Sequence, residues 1–185
     1  MKRKISESIK VPEGIACTFD NGILTCKKDS LEVSRKLDLP QIKVNLTEEG
    51  INLEVEKGNK NDLKIIRTFI AHIANIFHGL QEKFVYELEA VNVHFPMTLK
   101  VEGKTLTVTN FLGEKKPRKV KILDGVEVEV NGQKIVVSSH NKEAAGQTAA
   151  NLEKAGKTKG KDRRIFQDGI FITQKPKRLE ATQDA

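Results

Sequence analysis

Apolar residues recur at helical spacing in one long stretch of the chain. Between residues 62 and 80 they follow one another at intervals of three and four, which places them on one face of an α-helix. Asn61 is a suitable N-cap, and Gly79 lies close to the predicted end of the helix. We interpret this face as part of a core, with a partner-binding groove as the alternative. The apolar residues of the face are Ile66, Phe69, Ile70, Ile73, Phe77 and Leu80.

A second helical stretch, residues 141–157, carries much smaller side chains. Asn141 is its predicted cap, and Gly156 lies near its predicted end. Small residues allow a helix to approach its neighbours closely, so we expect this helix to lie directly on a sheet. The residues predicted to face the sheet are Ala145, Thr148, Ala149 and Leu152.

The segments that precede the two helices alternate apolar and polar residues, as half-buried strands do. When the chain is aligned with itself at a shift of 82 residues, Gly50 falls on Gly132 (132 − 50 = 82). We call the two matching segments the first and the second copy. Each copy then has a hairpin, with predicted turns at Glu49–Gly50 and Asn131–Gly132. The predicted cross-strand pairs are Leu46 with Leu53, Val44 with Val55, Val128 with Ile135, and Val126 with Val137.

This repeat predicts an α+β protein of two tandem similar domains, each a mostly antiparallel β-sheet with one helix packed on one face. The predicted boundaries are 1–81 for the N-terminal domain, 82–175 for the C-terminal domain and 176–185 for a polar tail, to which we assign no role. No stretch has the length and apolarity of a membrane helix, and no apolar signal core follows the basic start. We therefore expect a soluble, intracellular protein.

The positive charge of the chain lies entirely in its second half. Residues 1–90 contain 14 Lys plus Arg and 14 Asp plus Glu (14 − 14 = 0), whereas residues 91–185 contain 18 and 11 (18 − 11 = +7). This asymmetry favours a polyanion partner for the second half, the alternative being a chance drift of surface charge. Aromatic residues make up only 5% of the chain, so any nucleic-acid binding must depend mainly on charge.

The sequence contains no motif for catalysis or metal binding. The four histidines are scattered without zinc-ligand spacing, and the glycine motifs for phosphate loops, dinucleotides and nucleophile elbows are missing. Asp124 and Asp168 each precede a glycine, as turn residues do. We predict that the protein is not an enzyme and has no metal site and no cofactor.

Cys17 and Cys26 fall opposite one another if a hairpin turns at Asn21–Gly22. An intracellular location favours two reduced, core-facing thiols, and a cross-strand disulfide is the alternative.

A cationic stretch follows the second helix. The shift of 82 aligns residues 77–87 with 159–169 and Phe84 with Phe166, which predicts the same exit from helix to strand in both copies. The net charge differs, at −1 in the first copy (1 − 2) and +2 in the second (4 − 2). The candidate phosphate-binding residues in and beside this stretch are Lys154, Lys157, Lys159, Lys161, Arg163 and Arg164.

A second basic cluster, "NFLGEKKPRKVK" at 110–121, joins two predicted strands of the same copy. Either cluster alone is typical of a solvated loop, but together with the charge asymmetry they favour a polyanion-binding surface. If about five phosphates are engaged, the log–log dependence of affinity on salt should have a slope on the order of −3 to −5. The candidate residues of this cluster are Lys115, Lys116, Arg118 and Lys119.

The segments "NFLGEK" (110–115) and "RIFQDGIF" (164–171), together with the twofold repeat, resemble the ribosomal protein L-six family of the large subunit in its archaeal and eukaryotic form. The similarity runs from "VPEG" at 11 to "ITQK" at 172. It implies a structural, non-enzymatic constituent of the cytoplasmic large ribosomal subunit, whose C-terminal domain is the main binder of large-subunit rRNA. It also implies a position near the stalk base and the sarcin–ricin loop, with ribosomal proteins as neighbours and translation factors docking nearby.

The residues alone leave a rival function, a protein-interaction module that uses the exposed sheet of the neutral N-terminal domain. For the cationic stretch we assign Phe166 and Phe171 to the core. We read Asp168 as a turn residue, with the alternative that it orients Arg164.

Overall fold

The structure is a computed structural model that describes residues 3–37, 42–47 and 50–177. The chain separates into two compact units, and the division falls after Glu82. The polar tail beyond residue 177, to which we assigned no role, lies outside the described residues.

The first unit contains two antiparallel sheets and one helix. One sheet has the strand order β1-β6-β5 and the other β2-β3-β4, and the helix contacts strands of both. Its core consists of side chains from the two sheets and the inner face of the helix. The elements are β1 (Arg3–Lys10), β2 (Ala16–Asp20), β3 (Ile23–Lys28), β4 (Leu31–Lys36), β5 (Lys43–Thr47), β6 (Gly50–Gly58) and α1 (Lys60–Gln81).

The second unit repeats this plan and adds a final strand. Its sheets have the orders β10-β9-β8 and β11-β12-β7-β13, all antiparallel, and its helix packs on strands of both sheets. A one-turn 3-10 helix (Phe111–Gly113) follows β9. The elements are β7 (Phe84–Val91), β8 (Thr98–Glu102), β9 (Thr105–Thr109), β10 (Arg118–Lys121), β11 (Glu127–Asn131), β12 (Lys134–Ser139), α2 (Lys142–Ala155) and β13 (Gly169–Gln174).

The predicted α+β class and the tandem sheet-plus-helix plan are confirmed. Each unit divides its strands between two sheets, so that one helix covers parts of both. The shift of 82 holds at the helix caps, because Asn59 caps α1 and Asn141 caps α2 (141 − 59 = 82).

The cap of α1 differs from the prediction, which placed it at Asn61. Asn59 Oδ1 accepts from the backbone N–H of Asn61 and Asp62, and Asp62 Oδ2 accepts from the backbone N–H of Asn59. This reciprocal capping box satisfies N–H groups that the first turn leaves without helical partners. For α2, the predicted cap at Asn141 and end at Gly156 are both confirmed.

The small face of α2 is buried as predicted. Ala145, Thr148, Ala149 and Leu152 are each 0% exposed, and they pack into a core formed with both sheets of the second unit. Small side chains therefore bring the axis of α2 close to the strands, as their volumes require.

The two predicted helix-proximal hairpins form, but their registers were wrong by two residues. Leu46 pairs with Ile51 and not with the predicted Leu53. Val128 pairs with Val137, because the second turn is centred one residue later. The side chains predicted to share one face of each hairpin still do so, because side chains alternate with a period of two along a strand and the register is shifted by two residues. Glu49, in the first predicted turn, lies outside the described residues.

The hairpin at Asn21–Gly22 has the predicted register, with Cys17 opposite Cys26. Both cysteines are free thiols, and their Sγ atoms are 2.8 Å apart. The hydrogen bond from Cys26 holds the pKa of Cys17 below its ordinary value, whereas the same bond and burial raise the pKa of Cys26. Cys17 is therefore the more acidic thiol of the pair.

Candidate nucleic-acid interface

Both basic segments lie where the second unit departs from the first. In the first unit, β3 and β4 are joined by a tight turn at Asp29 and Ser30, whereas residues 110–117 join β9 to β10. Only Glu82 and Lys83 separate α1 from the next strand, whereas residues 156–168 separate α2 from β13. We call residues 110–117 with the start of β10 the first basic loop, and residues 156–168 the second basic loop.

The prediction that both copies share one exit from helix to strand was therefore wrong. Phe84 is the first residue of a strand, while Phe166 lies in the second basic loop. The physical reason is that α1 continues its apolar face through Phe77 and Leu80, both buried. The aligned residues of the second copy are polar and Gly-rich, so α2 ends at Ala155 and the chain continues as a loop.

Arg118 joins the two basic loops. From the start of β10, its Nη1 atom donates to the carbonyl oxygens of Ala155 at 2.6 Å and Lys157 at 3.0 Å. Its Nε atom donates to Glu114 Oε2 at 2.8 Å, and its Cζ atom lies 4.0 Å from the centroid of the Phe111 ring. The side chain is only 19% exposed. These bonds satisfy carbonyls at the C-terminus of α2, where a cation is also favoured by the helix dipole.

Glu114 shows how close the two basic loops come. The Arg118 guanidinium, as its hydrogen-bond partner, is the main cause that holds the pKa of this carboxyl below its ordinary value. The charges of Lys159 and Lys161, in the second loop, lower it further. Residues more than 40 positions apart in sequence (159 − 114 = 45) thus share one electrostatic environment.

The structure brings the predicted cations together on one unit and leaves nine of the ten exposed. Arg118 is the exception, because its guanidinium is held inside the protein. Arg164 is exposed but paired, with Nη2 donating to Asp162 Oδ2 at 2.9 Å, and this pair lowers the pKa of Asp162. The nine exposed residues are Lys115, Lys116, Lys119, Lys154, Lys157, Lys159, Lys161, Arg163 and Arg164.

Asp168 is a buried anchor for the second basic loop and not a simple turn residue. Its side chain is 1% exposed, and Oδ1 accepts from the backbone N–H of Val93 at 2.7 Å and of His94 at 3.1 Å. Oδ2 lies 2.7 Å from His94 Nδ1. Burial opposes ionisation, yet the hydrogen bonds from His94 and Val93 outweigh it and hold the pKa of Asp168 below its ordinary value. Arg164, the alternative partner, bonds to Asp162 instead.

The two phenylalanines of this region differ in their surroundings. Phe166 is half-buried, with its ring stacked on His94 at a centroid distance of 4.9 Å and Lys161 Nζ 4.4 Å from its centroid. Its assignment to the core was therefore wrong, since Phe166 lies outside the buried cluster, although its contacts with His94 and Lys161 hold the loop in place. Phe171 is 38% exposed, so its assignment to the core was wrong, because alternation along β13 buries Ile170 in its place.

Comparison with known proteins decides the family. Residues 95–169, a span that includes both basic loops, match the pattern of the family described as Ribosomal protein L6. The large ribosomal subunit protein uL6 of Methanosarcina mazei is 44% identical over 175 residues, which cover 95% of this chain and 99% of that protein. The proteins of the same name from Methanosphaera stadtmanae and Methanococcus vannielii are 42% and 40% identical, each over 92% of this chain and 94% of their own length.

The chain belongs to the uL6 family. As a member of this family it is a structural, non-enzymatic constituent of the large ribosomal subunit, and its place is in the ribosome in the cytoplasm. The resemblance recognised from "NFLGEK" and "RIFQDGIF" is therefore confirmed.

The described residues were also searched for metal-binding groups and for membrane-crossing helices. In the part of the chain that the structure describes, no group of three His, Cys, Asp or Glu residues could hold a metal ion. Over the same residues, no helix has both the length and the apolar character needed to cross a membrane.

Sequence reasoning missed His94 as a partner of the uL6 second basic loop. It lies 74 positions from Asp168, and no local pattern joins the two. The only hint in the sequence is that Asp168 directly precedes one predicted strand and His94 follows another. This hint predicts a contact only if β13 is known to pair with β7.

Proposed function

We propose that the second unit binds large-subunit rRNA through the surface formed by the two basic loops. The observation that carries this proposal is the pair of bonds from Arg118 to the carbonyls of Ala155 and Lys157, which hold the two loops together. Both loops are additions to a plan that the first unit carries without them. The second unit carries cations in two separate loops, and Arg118 holds these loops together, so that the cations form one continuous surface.

The nine exposed cations neutralise phosphates, while Arg118 acts as a brace between the loops. Folded RNA presents its backbone and shape more readily than its base edges, so we expect a surface of flexible Lys and Arg side chains to recognise phosphate positions. Gly160 has a φ of +66°, a backbone conformation that glycine adopts without strain, and its lack of a side chain lets phosphate approach the loop.

Among the nine cations, Arg163 and Arg164 have different expected contributions. Arg164 already pairs with Asp162, so phosphate must compete with an intramolecular carboxylate for it. Arg163 is exposed and is one of the residues that line an open cleft beside the second basic loop. We therefore expect Arg163 to contribute more to RNA affinity than Arg164.

The position of this surface within the subunit is also part of the proposal. The resemblance to the family supports a place near the stalk base and the sarcin–ricin loop, next to the docking region of translation factors and beside other ribosomal proteins. In this proposal the neutral first unit contacts neighbouring proteins through its exposed sheet. The protein-interaction role, considered above as a rival function, then belongs to the first unit.

Charge reversal in the full-length chain tests the proposal. We expect Arg163→Glu combined with Arg164→Glu to weaken binding to large-subunit rRNA and to flatten the log–log salt dependence by about one unit for each phosphate that is no longer bound. The matched control is Lys57→Glu with Lys60→Glu, which changes the net charge equally at exposed residues of the first unit. Affinity is measured over a series of salt concentrations, with the melting temperature of each variant as a check on folding.

Two results would contradict the proposal. Equal decreases in affinity for the two double variants would show that only the net charge matters. Unchanged affinity of the Arg163 and Arg164 variant would remove the second basic loop from the interface.

A further inference from the structure

An open cleft lies beside the second basic loop. It has a volume of about 1110 Å³ and is enclosed by the last turns of α2, the second basic loop and the start of β13. β13 is the last strand in the order β11-β12-β7-β13, so the cleft lies along a sheet edge. Clefts of this size class accept small-molecule groups with one apolar and one polar side.

The floor of the cleft, formed by Gly156, Ile170 and Phe171, is closely packed. Gly156 and Ile170 approach so closely that a Cβ atom on Gly156 would lie 2.5 Å from the backbone nitrogen of Ile170. The Phe171 ring lies against Gly169, where a Cβ atom would come within 2.8 Å of the ring atom Cζ. Phe171 as a whole residue is nevertheless 38% exposed. The ring of Phe171 thus packs against Gly169 at the edge of the sheet.

The rim of the cleft is cationic. Lys154, Lys157, Lys159 and Arg163 line it, and all four are exposed. The acids of the lining are engaged by the protein, since Asp168 accepts three hydrogen bonds. Glu153 Oε1 accepts from the backbone N–H of Ile172 at 3.4 Å.

We propose that this cleft binds one unpaired nucleotide of the bound RNA, with its base against Phe171 and its phosphate at Lys157, Lys159 and Arg163. The proposal rests on the proposed function and deepens it. A nucleotide joins a flat apolar ring to an anion, and the cleft places an exposed aromatic ring beside a cationic rim. Proteins that recognise unpaired bases use the same combination of an aromatic platform and charged side chains.

Phe171 is the residue of the floor best suited to stack on a base. Phe166, the other ring of the lining, already contacts His94 and Lys161. Phe171 lies on the edge strand β13 and is partly exposed in the cleft, so a base can stack on its ring. A paired base could not enter without leaving its duplex, so the cleft selects unpaired nucleotides.

Three small probes separate base recognition from phosphate recognition in the full-length chain. AMP, ribose 5-phosphate and inorganic phosphate are titrated to millimolar concentrations while backbone amide NMR signals are followed. We expect AMP to bind about tenfold more tightly than ribose 5-phosphate, because stacking of one base is worth about that factor. The largest AMP-specific shifts should fall on Ile170, Phe171 and Ile172.

Substitutions at Phe171 test the role of its ring. Phe171→Leu keeps an apolar side chain and should abolish the preference for AMP, whereas Phe171→Tyr should retain it. Phe95→Leu is the matched control, because Phe95 is 48% exposed in the same unit and does not line the cleft. This control should leave the preference unchanged.

The proposal is refuted if AMP and ribose 5-phosphate bind equally well, if AMP does not bind, or if Phe171→Leu leaves the preference intact. Weaker rRNA binding by the Arg163 and Arg164 variant alongside any of these results would retain the phosphate surface and remove only the nucleotide cleft. If the Arg163 and Arg164 variant also binds rRNA as tightly as the unchanged protein, both the phosphate surface and the nucleotide cleft are refuted.

Discussion

Replacing Arg118 by methionine should destabilise the second unit, although Arg118 lies in a cluster of solvated cations. The Arg118→Met variant keeps an unbranched apolar stem but lacks the guanidinium. The substitution removes the bonds to the carbonyls of Ala155 and Lys157, the pair with Glu114 and the interaction with the Phe111 ring.

The magnitude follows from the burial of each partner. The bond to the part-buried Ala155 carbonyl contributes about 1.5 kcal/mol, as a hydrogen bond to a charged group. The interaction with Phe111 adds roughly 0.5–1 kcal/mol. Glu114 is 44% exposed, so screening limits its pair to about 0.5 kcal/mol. We expect the unfolding free energy of the variant to fall by on the order of 2–3 kcal/mol in total.

Urea unfolding followed by tyrosine fluorescence is the appropriate assay. Tyr86 is the single tyrosine, the chain has no tryptophan, and Tyr86 lies on β7 of the second unit. Its signal therefore reports on the unit that Arg118 stabilises. The control is Lys119→Met, at the exposed neighbouring position, which should change stability by less than about 0.5 kcal/mol.

Binding to rRNA gives the second measurement for this pair of variants. Arg118→Met should weaken binding because the two loops no longer share an anchor, even though Arg118 itself touches no phosphate in our proposal. Lys119→Met should flatten the salt dependence without lowering stability. An Arg118→Met variant as stable as the unchanged protein would refute the reasoning that Arg118 is a brace.

Two further predictions concern the second basic loop and its neighbours. Because the pKa of Asp168 is below its ordinary value in the folded protein, its contribution to stability is fully present above about pH 4 and is lost as the pH falls through the folded pKa. The difference in unfolding free energy between the unchanged protein and Asp168→Asn should therefore shrink as the pH falls below about 4, and a difference that stays constant down to about pH 3 would contradict this assignment. Gly156→Ala should cost on the order of 1–3 kcal/mol, because the added Cβ meets Ile170 at 2.5–2.9 Å. Gly146→Ala, whose Cβ meets only the side chain of Tyr86, is the matched control, and equal stability of the two variants in urea would show that the packing between α2 and β13 can relax.

Local patterns were sufficient for the helices, because their determinants lie within a few residues of one another. The small residues Ala145 and Ala149 are buried as predicted, and Asn141 caps α2. The cap of α1 was misplaced by two residues, since Asn59 and Asn61 are equally good caps locally and only the reciprocal bond with Asp62 distinguishes them.

Hairpin registers were less predictable from the sequence. Glycine marks a turn but does not fix which position of the turn it occupies, so Val128 was paired two residues away from its true partner, Val137. The faces were nevertheless correct, because a shift by two preserves which side chains point to the core.

The duplicated α+β plan, the buried faces of both helices and the excess positive charge of the second half could all be predicted from the order of residues along the chain. These properties depend on spacing and composition, which can be read along the chain. Three features are visible only in the folded chain: Arg118 braces two loops, Asp168 binds His94, and Phe171 lines a cleft. Each of these depends on interactions between residues far apart in sequence, and such interactions exist only after β13 has paired with β7 and α2 has packed on both sheets.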